Sequence, residues 1–333
     1  MQPTVFCFGE PLLRIMPDAE GSGARIFRGG AELNVAAALS KWEFSTQYLT
    51  ALPENALADQ YISFIAENGI GTDRILRRGE RVGTYYLLGG TDLRNQVVYD
   101  RKYSSFGMLK AGEVNWSELL DENGWLHLTT INPSLSDDMM DVCLELTEAA
   151  LAKNMKISID LNYRPALWKN RTVDTAAFRK LISRAYLLFG NIWSAEQLLG
   201  IPVTQDITPT SGVNTICEAA GVCAAEIRNF APGIRYCAFS FRFTEQLPGK
   251  YLATIHDADD YAVSQIHTIE NIIDKVGSGD SCMAGLIAGC IQNRDMQEII
   301  DFAAASAVSK LGQEGDWNRY SAYQIEKLID KVV

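Results

Sequence analysis

From residue 125 onward the chain alternates between short apolar runs of β-prone residues and longer stretches whose apolar positions are spaced as in a helix. Trp125 to Thr130, Lys156 to Asp160, Tyr186 to Gly190 and Arg235 to Phe241 read as strands. Asp137 to Asn154, Asp174 to Arg184, Ala195 to Leu199 and Val213 to Asn229 read as the helices between them. A strand that returns to its sheet through a helix re-enters in the same direction, and a parallel sheet must be covered by helices on both faces. The expected fold class is therefore α/β, three layers with a mostly parallel sheet in the middle.

The first third is less regular. Val5 to Phe8 is a short apolar strand ending at Gly9-Glu10, and ligands in α/β folds sit at the carboxyl ends of strands. A Gly-rich segment around Gly21 to Arg28 leads to Gly29-Gly30, which precede a helix carrying Leu33, Ala36, Ala37 and Leu39, with Asn34 in its first turns. Thr46 to Leu52 reads as a strand, and the next helix places Leu57, Tyr61, Phe64 and Ile65 on one face before Gly69 ends it. Between Gly83 and Tyr103 two β-rich runs flank Gly89-Gly90, Asp92 and Arg94, the pattern of a hairpin that projects as a flap. Tyr85, Tyr99 and Arg101 are expected to alternate on its faces, suited either to a polar small substrate or to cross-strand packing. Residues 250 to 269 read as a small β excursion, and helices Met296 to Leu311 and Tyr320 to Val332 finish the chain. With no internal repeat or Pro/Ser-rich linker, one domain with a β flap is expected.

A formal charge of −11 over 333 residues, without a run of lysines or arginines, argues against a nucleic-acid or anionic-membrane surface. No window approaches about 18 uninterrupted apolar residues and the N-terminus lacks a basic-then-apolar leader, so a cytoplasmic location is expected. The seven cysteines, an odd number without C-x-x-C, favour reduced thiols over disulfides or zinc. Three scattered histidines disfavour histidine metal sites and Ser-His-Asp triads.

The chemistry concentrates between Asp274 and Gly289, DKVGSGDSCMAGLIAG. Gly277 and Gly279 carry no Cβ, so the backbone can turn sharply and an anion can approach its N–H groups. Met283, Ala284, Leu286, Ile287 and Ile291 then have the spacing of a helix packed on one face and starting near Asp280. Its unpaired N–H groups and positive dipole end would face whatever the glycines hold. Asp280 is either an N-cap or a base beside a bound phosphate. A dinucleotide fingerprint would need a glycine at Cys282, and no G-x-x-x-x-G-K-[ST] occurs. A second polar set, Asp160, Asn162 and Arg164 in ISIDLNYRPALW, follows a strand, where arginine can hold a carboxylate or phosphate by two parallel bonds or simply form a surface ion pair.

In this order and at this separation, Gly29-Gly30 to Asn34 and VGSGDSCMAGL resemble the motifs of the ribokinase-like (PfkB) carbohydrate kinases, a likeness extending over nearly the whole chain. GEPLLRIMP, GGAELNV, RVGTYYL, VVYDRKYSSF, DLNYRPALW and GQEGDWN are similar to the wording of the 2-keto-3-deoxygluconate kinases within that family. The resemblance implies one kinase domain over residues 1–333, a ribokinase-like three-layer fold and a β lid from about 11–30 and 81–104. It also implies ATP and Mg2+, transfer to the terminal hydroxyl of 2-keto-3-deoxygluconate, and a homo-oligomer, dimer or larger; a fructokinase or other hexose kinase is the alternative. Asp280 would then be the base and Gly277, Ser278 and Gly279 the anion hole. Gly30, Asn34, Tyr85, Tyr99, Arg101, Arg164 and Asp316 would contact the sugar, and Asn191 and Arg242 would join Gly277 and Gly279 at the nucleotide.

Three departures accompany the likeness. The family's common N-x-x-E is Asn191-Ile192-Trp193-Ser194 here, so either Glu196 or water stands in for the missing acid or metal handling is weakened. That loss keeps open a catalytically retired sugar-binding or regulatory protein. The T-L-G-x-x-G nucleotide loop is absent after residue 241, where Arg242 falls at the place of an arginine in keto-deoxygluconate kinases, and Cys282 replaces the usual phenylalanine.

Overall fold

In the computed structural model, which describes residues 2–18, 22–88, 97–169 and 171–329, the first strand is the one around which the chain reverses. β1 (Val5–Phe8) is buried at every position, Val5 and Cys7 toward one core and Phe6 and Phe8 toward the other. The chain leaves it through β2 (Leu12–Pro17) and β3 (Ala24–Gly29), passes along α1 (Ala31–Lys41) and returns parallel to β1 as β4 (Thr46–Leu49). β5 (Ala51–Leu52) and β6 (Leu76–Arg77) pair across α2 (Ala56–Glu67), and β7 (Gly83–Leu87) and β8 (Val97–Asp100) complete a smaller sheet of order β3-β2-β7-β8. After α3 (Trp116–Leu119) the chain enters the main sheet on the opposite flank of β1, as β9 (Trp125–Thr129).

From there it builds outward. α4 (Asp137–Ala152), β10 (Lys156–Asp160), α5 (Thr175–Ile182), β11 (Leu187–Gly190), α6 (Ile192–Leu199), α7 (Val213–Phe230) and β12 (Tyr236–Phe243) extend the parallel sheet. β13 (Gly249–His256) runs back antiparallel to β12 and carries both β14 (Tyr261–Val263) and β15 (His267–Ile269). α8 (Ser278–Ile291), α9 (Met296–Leu311) and α10 (Ala322–Ile329) close the chain. The nine-stranded main sheet has the order β14-β13-β12-β11-β10-β9-β1-β4. Helices α1, α8 and α9 share one core with its first face, and α4 to α7 share a second core with the other. This is the expected α/β arrangement, and because the chain moves from β1 to β4 on one side and then builds outward from β9 on the other, the strand order reverses beside β1, where a crevice opens at the carboxyl ends.

Several sequence expectations need correction. The helix that begins at the two glycines is buried all round, not on one face. It lies so close to α9 that a Cβ on Gly285 would stand 2.7 Å from the Ala303 Cα. The 46–52 run splits at Thr50, its first part joining the main sheet and its second pairing with β6. The 250–269 region is no small excursion, since eight-residue β13 is an integral strand of the main sheet. The 24–29 stretch is a strand, missed because its first three residues face solvent and carry no apolar alternation. Leu57, assigned to an apolar face, is exposed, whereas Tyr61 and Ile65 are buried. All seven cysteines are buried and unbridged. Gly21, the Gly89-Gly90, Asp92 and Arg94 turn, and residues 330–332 of the last helix lie outside the described residues.

Candidate active site

Every residue assigned above to sugar, nucleotide or anion hole lines one cavity of 350 Å³ at the carboxyl ends of the parallel strands. The start of α8 forms its floor. Gly277 caps the helix in the left-handed region, at φ 82°, where a side chain would be strained and its Cβ would overlap the Asp316 carbonyl. Gly279 faces open space, with no atom within 4 Å of a hypothetical Cβ. Ser278 turns its hydroxyl away, donating to the Ala307 carbonyl at 3.0 Å, so the turn presents backbone N–H groups to the cavity.

Asp280 is not the cap: it is the third residue of the helix, with its carboxylate buried. Asn34, in the first turn of α1, donates its amide to Asp280 Oδ2 at 2.6 Å. Burial pushes the Asp280 carboxyl up to about 6, against the opposing pull of the Asn34 bond and of Arg164. A carboxyl near 6 is ionised at neutral pH and still basic enough to take a proton. Asp160, at the end of β10, also faces the cavity; burial first and the Asp280 charge second hold it well above the usual carboxylate range.

The two arginines differ. Arg101 is already engaged, its Nε donating to buried Glu10 at 2.7 Å and its Nη2 to the same oxygen. Arg164 has no hydrogen bond or ion pair from its guanidinium among the described residues, so its charge is available to a ligand. Tyr85 and Tyr99 do not alternate on opposite faces of the hairpin, because they are directly paired across β7 and β8, with ring centroids 6.0 Å apart, and both line the cavity with Arg101. Tyr85 reaches Asp316 Oδ2 at 3.5 Å.

Beneath the α8 turn lies a buried charge cluster. Arg14, from β2 and wholly buried, donates to both carboxylate oxygens of Asp274 at 3.0 and 2.7 Å and pairs with Asp316 at 3.0 Å. Asp274 also accepts from the backbone N–H groups of Val276 and Gly315, which ties the turn to the loop carrying Asp316. Burial raises Asp316 to about 6, with Arg14 opposing. Glu32, pushed up to about 7 by burial, accepts from the Thr129 N–H at 3.0 Å and its hydroxyl at 2.7 Å, bracing α1 against β9 at the crevice.

On the flank expected to face a nucleotide, Asn191 accepts from the Ser194 N–H at 2.8 Å and thereby caps α6, which is why that helix begins at Ile192 and not at Ala195. Glu196 does not replace the missing acid, since it accepts from the Val203 N–H at 3.1 Å on the far side of α6 and does not line the cavity. Arg242 and the half-exposed Trp193 do line it. Among the described residues no cluster of three acidic, histidine or cysteine side chains could hold a metal ion, and no helix is long and apolar enough to cross a membrane.

Sequence reasoning missed Arg14, Asp274, Glu10, Glu32, Lys310 and Trp193. A usable signal existed for Arg14 and Lys310, each a lone cation inside an apolar run of a strand or helix. For the acids nothing in the local pattern separates a buried carboxylate from a surface one.

The architecture is that of the ribokinase-like sugar kinases. A crystallised 2-dehydro-3-deoxygluconokinase from Thermotoga maritima superimposes with a TM-score of 0.87, at 29% identity, over 98% of this chain and 99% of that one. The chain belongs to the pfkB family of carbohydrate kinases, whose profile matches residues 5–217 and 250–320. It is 23% identical to a 2-dehydro-3-deoxygluconokinase of Bacillus subtilis, over 86% of this chain and 81% of that protein. It is also 23% identical to a 2-dehydro-3-deoxygalactonokinase of Haloferax volcanii, over 99% of this chain and 97% of that one.

Proposed function

We propose that this carbohydrate kinase moves the γ-phosphoryl group of ATP to the terminal hydroxyl of a 2-keto-3-deoxy sugar acid, with 2-keto-3-deoxygluconate as the substrate. One observation carries the reading: buried Asp280, the open α8 turn and Arg164, whose guanidinium has no hydrogen bond or ion pair among the described residues, line a single cavity. The names of the Thermotoga, Bacillus and Haloferax relatives support a sugar acid over a neutral hexose.

In this reading an Asp280 oxygen takes the proton of the acceptor hydroxyl as that oxygen bonds to the γ-phosphorus and the bond to the bridging oxygen of ADP breaks. The N–H groups of Gly277, Ser278 and Gly279 stabilise the charge spread over the transferred group, because phosphoryl transfer depends mostly on positioning and electrostatics. Arg164 takes the sugar's carboxylate, and Arg101 joins it by exchanging Glu10 for the ligand. Gly30 and Asn34 border the hydroxyl end of the sugar, while Tyr85 and Tyr99 wall it from the smaller sheet and Asp316 from the loop after α9. Asn191, Arg242 and Trp193 border the nucleotide. Magnesium, arriving with the nucleotide, would neutralise phosphate charge, and Asp160 is the carboxylate it could approach, since its one hydrogen bond, from Asn162, is long at 3.3 Å. The lid role of the smaller sheet belongs to the same proposal, as does a homo-oligomer, supported by Ile26 and Val98 standing exposed on that sheet; a light-scattering mass equal to one chain would refute the oligomer.

The test is a coupled assay for ADP with 2-keto-3-deoxygluconate, 2-keto-3-deoxygalactonate, fructose and ribose, magnesium present. Highest kcat/KM on a keto-deoxy acid, and its loss in an Arg101→Ala/Arg164→Ala variant, is expected. Higher kcat/KM on fructose or ribose assigns a neutral-sugar kinase instead, and no ADP with any sugar removes the kinase reading. Asp280→Asn should lose about 10²- to 10⁴-fold in turnover.

A further inference from the structure

Lys310 occupies the last turn of α9 with none of its surface exposed. Its ammonium donates to one oxygen, the Gln313 carbonyl, at 2.9 Å. Its Cε packs behind Gly277, 3.5 Å from where a Cβ would stand, and the residue does not line the cavity. The charged groups that face it are Asp274 from the segment before α8, Asp316 from the following loop, Arg14 from β2 and Asp280 from α8 itself. Arg14 already neutralises part of Asp274 and Asp316, so Lys310 is a second cation beneath the same turn.

An ammonium with a single hydrogen bond among the described residues is an unfavourable group to bury. Burial accordingly lowers the Lys310 pKa to about 8, with Asp274 and then Asp316 opposing the fall. An uncharged chain of similar length would fill the same space without that penalty, so the charge calls for a partner that needs it. The groups at hand are the base and the anion cradle: Lys310 favours the ionised forms of both Asp280 and Asp316. Across a few ångströms of protein, where water does not screen, a positive charge also adds to the pull of the N–H groups on a developing negative charge.

We propose that Lys310 is the fixed counter-ion of the anion-hole turn, a positioning residue whose stem packs behind Gly277 while its ammonium holds the 312–316 loop and offsets, from behind, the negative charge that gathers on the cavity side during phosphoryl transfer. This rests on the reading of Asp280 and the α8 turn as the phosphoryl site but not on which sugar is accepted. The experiment therefore uses whichever sugar of the panel gives the highest turnover, and a neutral sugar there would remove the sugar-acid reading while leaving this one intact.

In Lys310→Met, turnover should fall about 10- to 100-fold, less than the 10²- to 10³-fold typical of a donor that touches the charge, with the sugar KM within about twofold. The acid limb of kcat/KM should move upward, because Asp280 has lost a cation. In Lys310→Ala, whose short side chain leaves room for the ion, ammonium chloride, compared with sodium chloride at equal ionic strength, should raise both turnover and melting temperature while leaving the wild type unchanged. Unchanged turnover, or a loss with neither a shifted limb nor a response to ammonium, overturns the proposal and leaves a merely structural lysine. Should these variants not fold, Lys310→Arg carries a charge that does not titrate. Wild-type activity should then fall as the pH rises through about 8 and the arginine variant should not follow it. An alkaline fall shared by both proteins, or absent from the wild type, equally overturns the proposal.

Discussion

The amide of Asn34 is the one side-chain donor hydrogen-bonded to Asp280 among the described residues, at 2.6 Å. Asn34→Leu keeps the side chain's size and removes that donor, leaving the carboxylate to the full effect of burial. A hydrogen bond to a charged group contributes about 1.5–3 kcal/mol, and about 1.4 kcal/mol corresponds to one pH unit. The Asp280 pKa, about 6 in the intact protein, should therefore rise by roughly one to two units. A base works only when ionised, so activity is present above its pKa and lost as the pH falls through it; raising the pKa brings that loss toward neutrality. At pH 7 the intact base is roughly nine-tenths ionised and the variant's roughly half to a tenth, which lowers kcat/KM about 2- to 10-fold beyond any pH-independent effect. Initial rates at low sugar concentration between pH 5 and 8 locate the acid limb, and kcat/KM reports the free enzyme, the state with this geometry. Loss of a sugar contact would lower the whole profile without moving the limb. A limb that stays at the wild-type position refutes the claim that Asn34 keeps the base ionised.

Other outcomes follow from the same geometry. Arg14→Met should lower stability in urea by about 3–5 kcal/mol at pH 7, because two buried carboxylates lose their shared cation; a loss below about 1 kcal/mol would mean that Lys310 and backbone donors suffice. Gly277→Ala, at φ 82°, should lose at least about 1–3 kcal/mol and lower the melting temperature, while Gly279→Ala, pointing into open space, should melt like the wild type yet turn over about 10-fold more slowly. Glu32 holds a proton in the fold up to about pH 7, so its contribution is present below its ordinary value near 4.5 and lost as the pH rises through 7. In Glu32→Gln the fall in stability between pH 5 and 8 should accordingly shrink by up to about 3 kcal/mol, read from urea midpoints.

The parallel sheet and the cavity floor were legible because their signals are local. Alternating strand and helix patterns between Trp125 and Phe241 carry the topology, and Gly277, Gly279 and Asp280 sit within four residues of one another. Tyr85, Arg101 and Arg164 were legible only as one of two alternatives each, and Asp316 only through resemblance, since they come from separate strands and loops whose convergence depends on the three-dimensional path. The buried cluster of Arg14, Asp274 and Lys310 stayed hidden for a different reason. A charge reads as solvent-facing unless its counter-charge is known, and here Arg14 and Asp274 lie 260 residues apart. The 24–29 strand escaped because half of it is solvated and its order comes from pairing with β2, not from its own composition.

Arg14 stands in the smaller sheet but is bound to the helical body by Asp274 and Asp316. That sheet therefore has a welded side and a loose one. In the proposed lid role, a closing motion would turn about β2 as an axle, since sliding the strand would pull buried charges apart at a cost of several kcal/mol. The outer strand, β8, then sweeps the longest arc, and Arg101 just beyond it must release Glu10 to follow. An incoming carboxylate would be the natural recipient of the freed guanidinium, so the charge of the guest would act as the latch and a neutral sugar of the same size would leave the door ajar.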